Sequence, residues 1–120
     1  HMPTGDGQLT ALHFLSIVSK YGTPVSSLVG EIRRYPQVLI NVPGPYAAAE
    51  KTALIASDDV QAAIRQEEAA LGENGRILVR PSGTEALLRV MVEAKEEATA
   101  QNVAEHLAKV IENAQKLRAI

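Results

Sequence analysis

The chain reads as an α+β domain: a small antiparallel sheet with two helices on one face and the other face partly open, preceded by a helical segment of different character. Three observations carry this. Short apolar alternations lie around 38–42, 77–79 and 87–92, and two long segments, 57–71 and 95–115, repeat their apolar residues at helical spacing. Their order is strand, helix, strand, strand, helix, with no internal repeat or low-complexity run to compete.

His1-Met2 reads as an expression-vector scar and is set aside. Thr4-Gly5-Asp6-Gly7 is a turn signal, and Asp6 or Thr10 offers a cap for a helix from about Gln8 to Lys20. The apolar residues of that helix, Leu9, Leu12 and Ile17 with Ala11, Phe14, Leu15 and Val18 offset, spread around more of the circumference than one packing face needs. Such a helix suits a larger body. Asp6 alone cannot assemble the oxygen ligands of magnesium, and His13 has no second ligand at metal-binding spacing, so capping and packing are their expected roles. Tyr21-Gly22-Thr23-Pro24 ends the helix, and Val25 to Ile32 forms a second one entered through proline, with Thr23 as a candidate cap. Arg33-Arg34 complements that helix's dipole better than it makes an anion patch.

Val38, Ile40 and Val42 alternate with Leu39 and Asn41, a strand with both faces at least partly covered, ended by Pro43-Gly44-Pro45. Tyr46 to Ser57 mixes helical residues (Ala47 to Lys51) with Thr52-Ala53-Leu54-Ile55 and is expected to be an irregular connection. Ser57-Asp58-Asp59 opens a helix to about Leu71, with Val60, Ala63, Ile64, Glu67 and Leu71 inward and Gly72 as the stop. Glu67-Glu68 resembles a catalytic carboxylate pair only on paper. Adjacent helical residues point about 100° apart, so solvation is their expected fate. Asn74-Gly75 turns the chain into two strands, whose clean parities (Ile77, Val79; Leu88, Val90, Val92) should pack on the helices while Arg80, Arg89, Met91 and Glu93 face outward. Lys95 to about Gln115 is a long amphipathic helix striped by Val103, Leu107, Val110 and Ile111, with His106 beside the stripe and no partner evident; Leu117 to Ile120 is expected to fray.

Composition narrows the function. The 120 residues carry a net charge of −2 and 46% hydrophobic residues, which marks neither a disordered chain nor a nucleic-acid binder. Any anion must therefore be held by a local positive pocket. With no cysteine there is neither disulfide nor thiolate metal site, in keeping with a reducing cytoplasm. No apolar run approaches the ~18 residues of a membrane span, and no charged-then-apolar leader opens the chain.

The passage where composition turns from packing to chemistry is the loop Arg80-Pro81-Ser82-Gly83-Thr84-Glu85, followed by Ala86-Leu87-Leu88-Arg89. Ser82 and Thr84 supply hydroxyls, Gly83 lets the backbone turn its N–H groups inward, and Arg80 and Arg89 bring fork-shaped, permanently charged donors to the two ends. Phosphate suits such a set, because guanidinium pairs with it through charge-assisted bonds. The same residues also suit an ordinary β-turn with solvated arginines, and residue types alone leave both readings open.

The wording of the loop, with the Arg89-Val90-Met91-Val92-Glu93 that follows, resembles the phosphate-binding loop of the C-terminal domain of the α-D-phosphohexomutases. Within that superfamily the bacterial phosphoglucosamine mutases are most similar. Pro36-Gln37-Val38-Leu39-Ile40-Asn41-Val42, an acidic helix ending in Leu71-Gly72, and Gly75-Arg76 before the loop follow the same order, so the likeness spans roughly residues 4 to 112. One departure is Ala86, where the family usually has proline; it removes backbone stiffness but no phosphate donor.

The resemblance implies a TBP-like fold for 36–120, with 3–35 the helical end of a preceding domain plus its linker. It implies that Arg80, Ser82, Gly83, Thr84 and Arg89 grip a substrate phosphate while Glu85 braces the loop. It further implies that the whole enzyme is a cytoplasmic isomerase and phosphoprotein interconverting glucosamine 6-phosphate and glucosamine 1-phosphate. That enzyme uses a phosphoserine and Mg2+ and feeds peptidoglycan precursor biosynthesis; its partners are the phosphorylated amino sugar and its own remaining domains, with no nucleic acid or membrane. The serine loop and the metal loop are not in this sequence, so this segment alone should be inactive, with no catalytic or metal-ligating residue of its own. The alternatives are the corresponding domain of a phosphomannomutase/phosphoglucomutase and a non-catalytic module that binds a phosphorylated metabolite.

Overall fold

The computed structural model describes residues 5–30, 34–44 and 47–118. The chain divides into two compact units, 1–34 and 35–120. Thr4, Arg33, Pro45, Tyr46, Ile120 and the His1-Met2 pair, all assigned a role from sequence, lie outside the described residues.

In the first unit, helix α1 spans Gly7–Tyr21 and helix α2 spans Val25–Gly30. Asp6 is the cap of α1: its carboxylate accepts the Leu9 N–H at 2.9 Å, while the Thr10 hydroxyl only donates back to Asp6 O. Gly22 ends α1 in the left-handed region at φ 62°, and its N–H donates to Val18 O. The expected Thr23 cap is not made; its hydroxyl donates back to Tyr21 O. Helix α2 is described as far as Gly30, the expected end at Ile32 lies outside the described residues, and Arg34 is in neither helix nor strand. No residue of α1 is buried, and Leu9, Leu12, Phe14, Leu15 and Ile17 are all exposed.

The second unit is the α+β domain. Strand β1 is Gln37–Pro43, helix α3 is Ala48–Ile55, helix α4 is Asp58–Leu71, and a 3-10 turn, Gly72–Asn74, leads into strand β2, Gly75–Pro81. Strand β3, Leu87–Ala94, and helix α5, Glu97–Arg118, complete it. The sheet order is β1-β3-β2, with β3 antiparallel to both neighbours. The last strand in sequence is therefore the central one, and alternate residues along it read partly exposed, buried, partly exposed, buried. Its buried parity, Leu88, Val90, Val92 and Ala94, meets Val60 and Leu71 of α4, Leu54 of α3, and Val103, Leu107 and Ile111 of α5 in one core. Each of the valine, leucine and isoleucine side chains contributes on the order of 1.5–3 kcal/mol on burial.

Four expectations are corrected here. The stretch expected to be irregular is helix α3, because Leu54 is drawn into the core and Lys51 is buried beside it; three helices, not two, cover the sheet. Strand β1 is covered on one face only, since Leu39 remains 51% exposed. His106 does have a partner: its Nδ1 lies 2.5 Å from Glu67 Oε1, joining α5 to α4, so Glu67 is not simply solvated. Helix α5 begins at Glu97 and runs unbroken through Leu117 to Arg118, its last turn carrying Lys116 and Arg118 in accord with the dipole.

The face of the sheet away from the core is ordered by the register into three rows. Gln37, Glu93 and Arg76 form the first, Leu39, Met91 and Leu78 the second, and Asn41, Arg89 and Arg80 the third. In the first row Arg76 Nε and Nη2 donate to the two Glu93 carboxylate oxygens at 2.6 and 3.0 Å. That fork holds the Glu93 carboxyl below its ordinary range and raises Arg76.

Gly75 is where β2 enters. A Cβ there would stand 2.4 Å from Glu93 O and 3.3 Å from both Ala94 Cα and Leu71 Cδ2, two of them backbone atoms of the central strand. Gly75→Ala is expected to cost about 1–3 kcal/mol by overpacking, read by urea denaturation; an unchanged midpoint would show that the strands part freely. Because the folded Glu93 pKa is depressed, its pair stabilises above the ordinary carboxylate range and fades as pH falls through the folded value. Below about pH 4.3, wild type should therefore lose stability more steeply than Glu93→Gln, and parallel acid limbs in the two proteins would contradict this.

Candidate phosphate-binding loop

Residues 82–86 join β2 to β3 as a series of bends closed at the base by Ser82 N–H donating to Leu87 O at 3.0 Å. Gly44 N–H donates to Ala86 O at 3.0 Å, tying the loop to the end of β1. The antiparallel register places Arg80 directly opposite Arg89, on the face away from the core. Two like charges in direct cross-strand contact are unfavourable. Glu85 offsets part of that cost: Arg89 Nη2 donates to Glu85 Oε2 at 2.9 Å. Arg80 makes no ion pair among the described residues, and Arg89 Nε is buried with no hydrogen-bond partner. A buried donor left in that state costs about 1–3 kcal/mol unless an acceptor reaches it.

The five residues expected to bind are thus brought to one place but in two roles. Arg80, Gly83 and Thr84 are exposed, and the amides of Gly83 and Thr84 have no acceptor among the described residues. Ser82 is only 4% exposed, and its hydroxyl is turned into the loop, accepting the Glu85 N–H at 3.3 Å and lying 3.4 Å from Glu85 Oε2. In this arrangement Ser82 braces the bend that Gly83 and Thr84 present. Glu85 takes a bracing position on Ser82 and Arg89.

Sequence reasoning missed Lys51. Its side chain runs from α3 to the underside of the loop, 4% exposed, where Nζ donates to Ser82 O at 2.6 Å and Glu85 O at 2.9 Å. The signal was present: a lysine three and four residues before Leu54 and Ile55 shares their helical face, so it must either snorkel or find acceptors indoors. Locally, the site gathers three cations, Lys51, Arg80 and Arg89, around one carboxylate, Glu85. The local field is therefore positive in a chain whose net charge is −2. Among the described residues no group of three or more His, Cys, Asp or Glu side chains is placed to hold a metal ion.

Residues 39–110 match the family model described as phosphoglucomutase/phosphomannomutase, C-terminal domain. The chain is 47% identical over 111 residues to phosphoglucosamine mutase of Frankia alni, covering 92% of this chain and 24% of that protein. It is 50% identical over 112 residues to phosphoglucosamine mutase of a Nocardioides species, again covering 92% of this chain and 24% of the relative. The chain thus spans about a quarter of the length of the relatives it matches. The fold is similar to the crystal structure of Aspergillus fumigatus N-acetylphosphoglucosamine mutase in complex with GlcNAc-6P and magnesium. That likeness has a TM-score of 0.66 at 24% identity, over 88% of this chain and 20% of the other.

If Glu85 restrains the loop through Ser82 and Arg89, Glu85→Gln should loosen it locally. The Ser82 and Glu85 amides are expected to exchange with solvent roughly tenfold faster, about 1.4 kcal/mol, while global stability moves by less than about 0.5 kcal/mol. Unchanged exchange at both amides would show that the carboxylate does not brace the loop.

Proposed function

The chain belongs to the phosphoglucomutase/phosphomannomutase C-terminal domain family, and we propose that it is the substrate-phosphate grip of a phosphoglucosamine mutase. The observation that carries this reading is the placing of Arg80 opposite Arg89 beside a bend whose Gly83 and Thr84 amides are unengaged. A phosphate dianion answers all three features at once. It separates the two guanidinium groups, offers an acceptor to the buried Arg89 Nε, and takes the free amides. Ser82 contributes to the same oxyanion by turning its hydroxyl outward from Glu85. The phosphoglucosamine mutases at 42–50% identity support the amino-sugar substrate over a plain hexose.

The whole enzyme, on this reading, interconverts glucosamine 6-phosphate and glucosamine 1-phosphate in the cytoplasm, supplying peptidoglycan precursors. The phosphoserine and the Mg2+ used for the transfer would be held by other domains. Residues 3–35 are the end of the preceding domain and its linker, and 36–120 the phosphate-binding domain proper.

The share of this domain is positioning. It holds the phosphate that is not reacting, and because that group can sit at either end of the sugar, one grip serves both orientations of the bisphosphorylated intermediate. Binding energy drawn from this remote group orients the reacting oxygen.

In the full-length enzyme, Arg80→Ala is expected to raise KM by about 1.5–3 kcal/mol of lost charge-assisted hydrogen bonding, roughly 10- to 150-fold. A KM within twofold of wild type would overturn the assignment.

A further inference from the structure

We propose that Lys51 is a positioning residue that sets the polarity of the loop, aiming the Gly83 amide at the phosphate; this deepens, and rests on, the reading of the loop as a phosphate grip. No motif in the loop itself points to it, because it comes from a helix more than thirty residues earlier in the chain.

All described peptide bonds are trans, and in a planar trans peptide the C=O and the following N–H point in opposite directions. Lys51 Nζ holds Ser82 O at 2.6 Å and Glu85 O at 2.9 Å, so both carbonyls face inward to the ammonium. The N–H groups of the same two peptide units, those of Gly83 and Ala86, must then face away from it. Neither has an acceptor among the described residues, and a Cβ on Gly83 would meet nothing within 4 Å.

The need for a lock follows from the glycine. A peptide unit that precedes glycine turns over at little cost, because glycine accepts either sign of φ. Turned over, the Ser82–Gly83 unit would present a carbonyl oxygen to an anion and repel it. The ammonium holds one orientation through two charge-assisted bonds, at the rear of the loop where it does not compete with the ligand. It also sets a full positive charge behind the loop in a site 4% exposed, where solvent screens it poorly.

The test is titration of the isotope-labelled 120-residue chain with inorganic phosphate at constant ionic strength, following backbone amides and the Lys51 ammonium. In wild type, Gly83 and Thr84 should shift along one saturable isotherm. Lys51→Met, which keeps the stem and removes the two bonds, should weaken the phosphate Kd at least tenfold while the amides of β1 and α5 keep their wild-type positions. Binding in Lys51→Met within twofold of wild type overturns the role of Lys51 and leaves the grip standing. The absence of any saturable shift at Gly83 and Thr84 in wild type overturns the grip, and this proposal with it. Should the variant not fold, wild type alone decides. A slowly exchanging Lys51 ammonium signal that moves with phosphate on the Gly83 isotherm is expected, and one that stays still while Gly83 shifts is contrary.

Discussion

The register between β2 and β3 is the constraint on which the rest depends. Pairing Arg80 with Arg89 and Val79 with Val90 settles at once which residues enter the core and which face outward. A slip of one residue would turn one strand over relative to the other, carrying either Arg80 or Arg89 against the helices and exposing the apolar parity of that same strand. The register is secured at both ends. At one end Gly75 lets β2 run so close to Glu93 and Ala94 that no side chain fits between, and at the other Ser82 and Leu87 close the loop. The core and the site are therefore two faces of one decision about strand pairing.

Holding two guanidinium groups side by side is an electrostatic expense that packing alone would not select. The structure meets it partly, through Glu85 on Arg89, and leaves Arg80 and the Arg89 Nε unmatched. Lys51 adds a third cation behind the bend. A surface concerned only with stability would place a carboxylate opposite an arginine, as the first row of the same sheet does with Arg76 and Glu93. The contrast between those two rows, one neutralised and one left positive, is the physical argument for an anion at the second.

Much of this was legible in the chain. The alternation of Leu88, Val90 and Val92 with Arg89, Met91 and Glu93 told which parity faces solvent, and the stripe of α5 matched its buried side. The arginines and the bend stand out in the sequence because their chemistry contrasts with an apolar background, and the register brings Arg80 and Arg89 side by side. What was not legible depended on partners distant in sequence. Ala47 to Ile55 has mixed local preference, and it is helical because Leu54 docks in the core; Lys51 acquires its role only once that helix lies under the loop. His106 looked isolated because Glu67 lies on another helix, and Ser82 looked like a presented donor because nothing local shows that it is buried. Apolar Leu39 makes strand β1 look covered on both faces, whereas it lies in an open row with Met91 and Leu78.

The most direct test of the proposed phosphate grip is a crystal structure of the full-length protein with the proposed substrate, glucosamine 6-phosphate, bound. The account predicts the non-reacting phosphate between the Arg80 and Arg89 side chains, with oxygens about 2.7–2.9 Å from guanidinium nitrogens, Arg89 Nε included, and accepting from the Gly83 amide. A phosphate seated elsewhere, with Arg89 Nε still unpaired and the Gly83 amide still free, would contradict it.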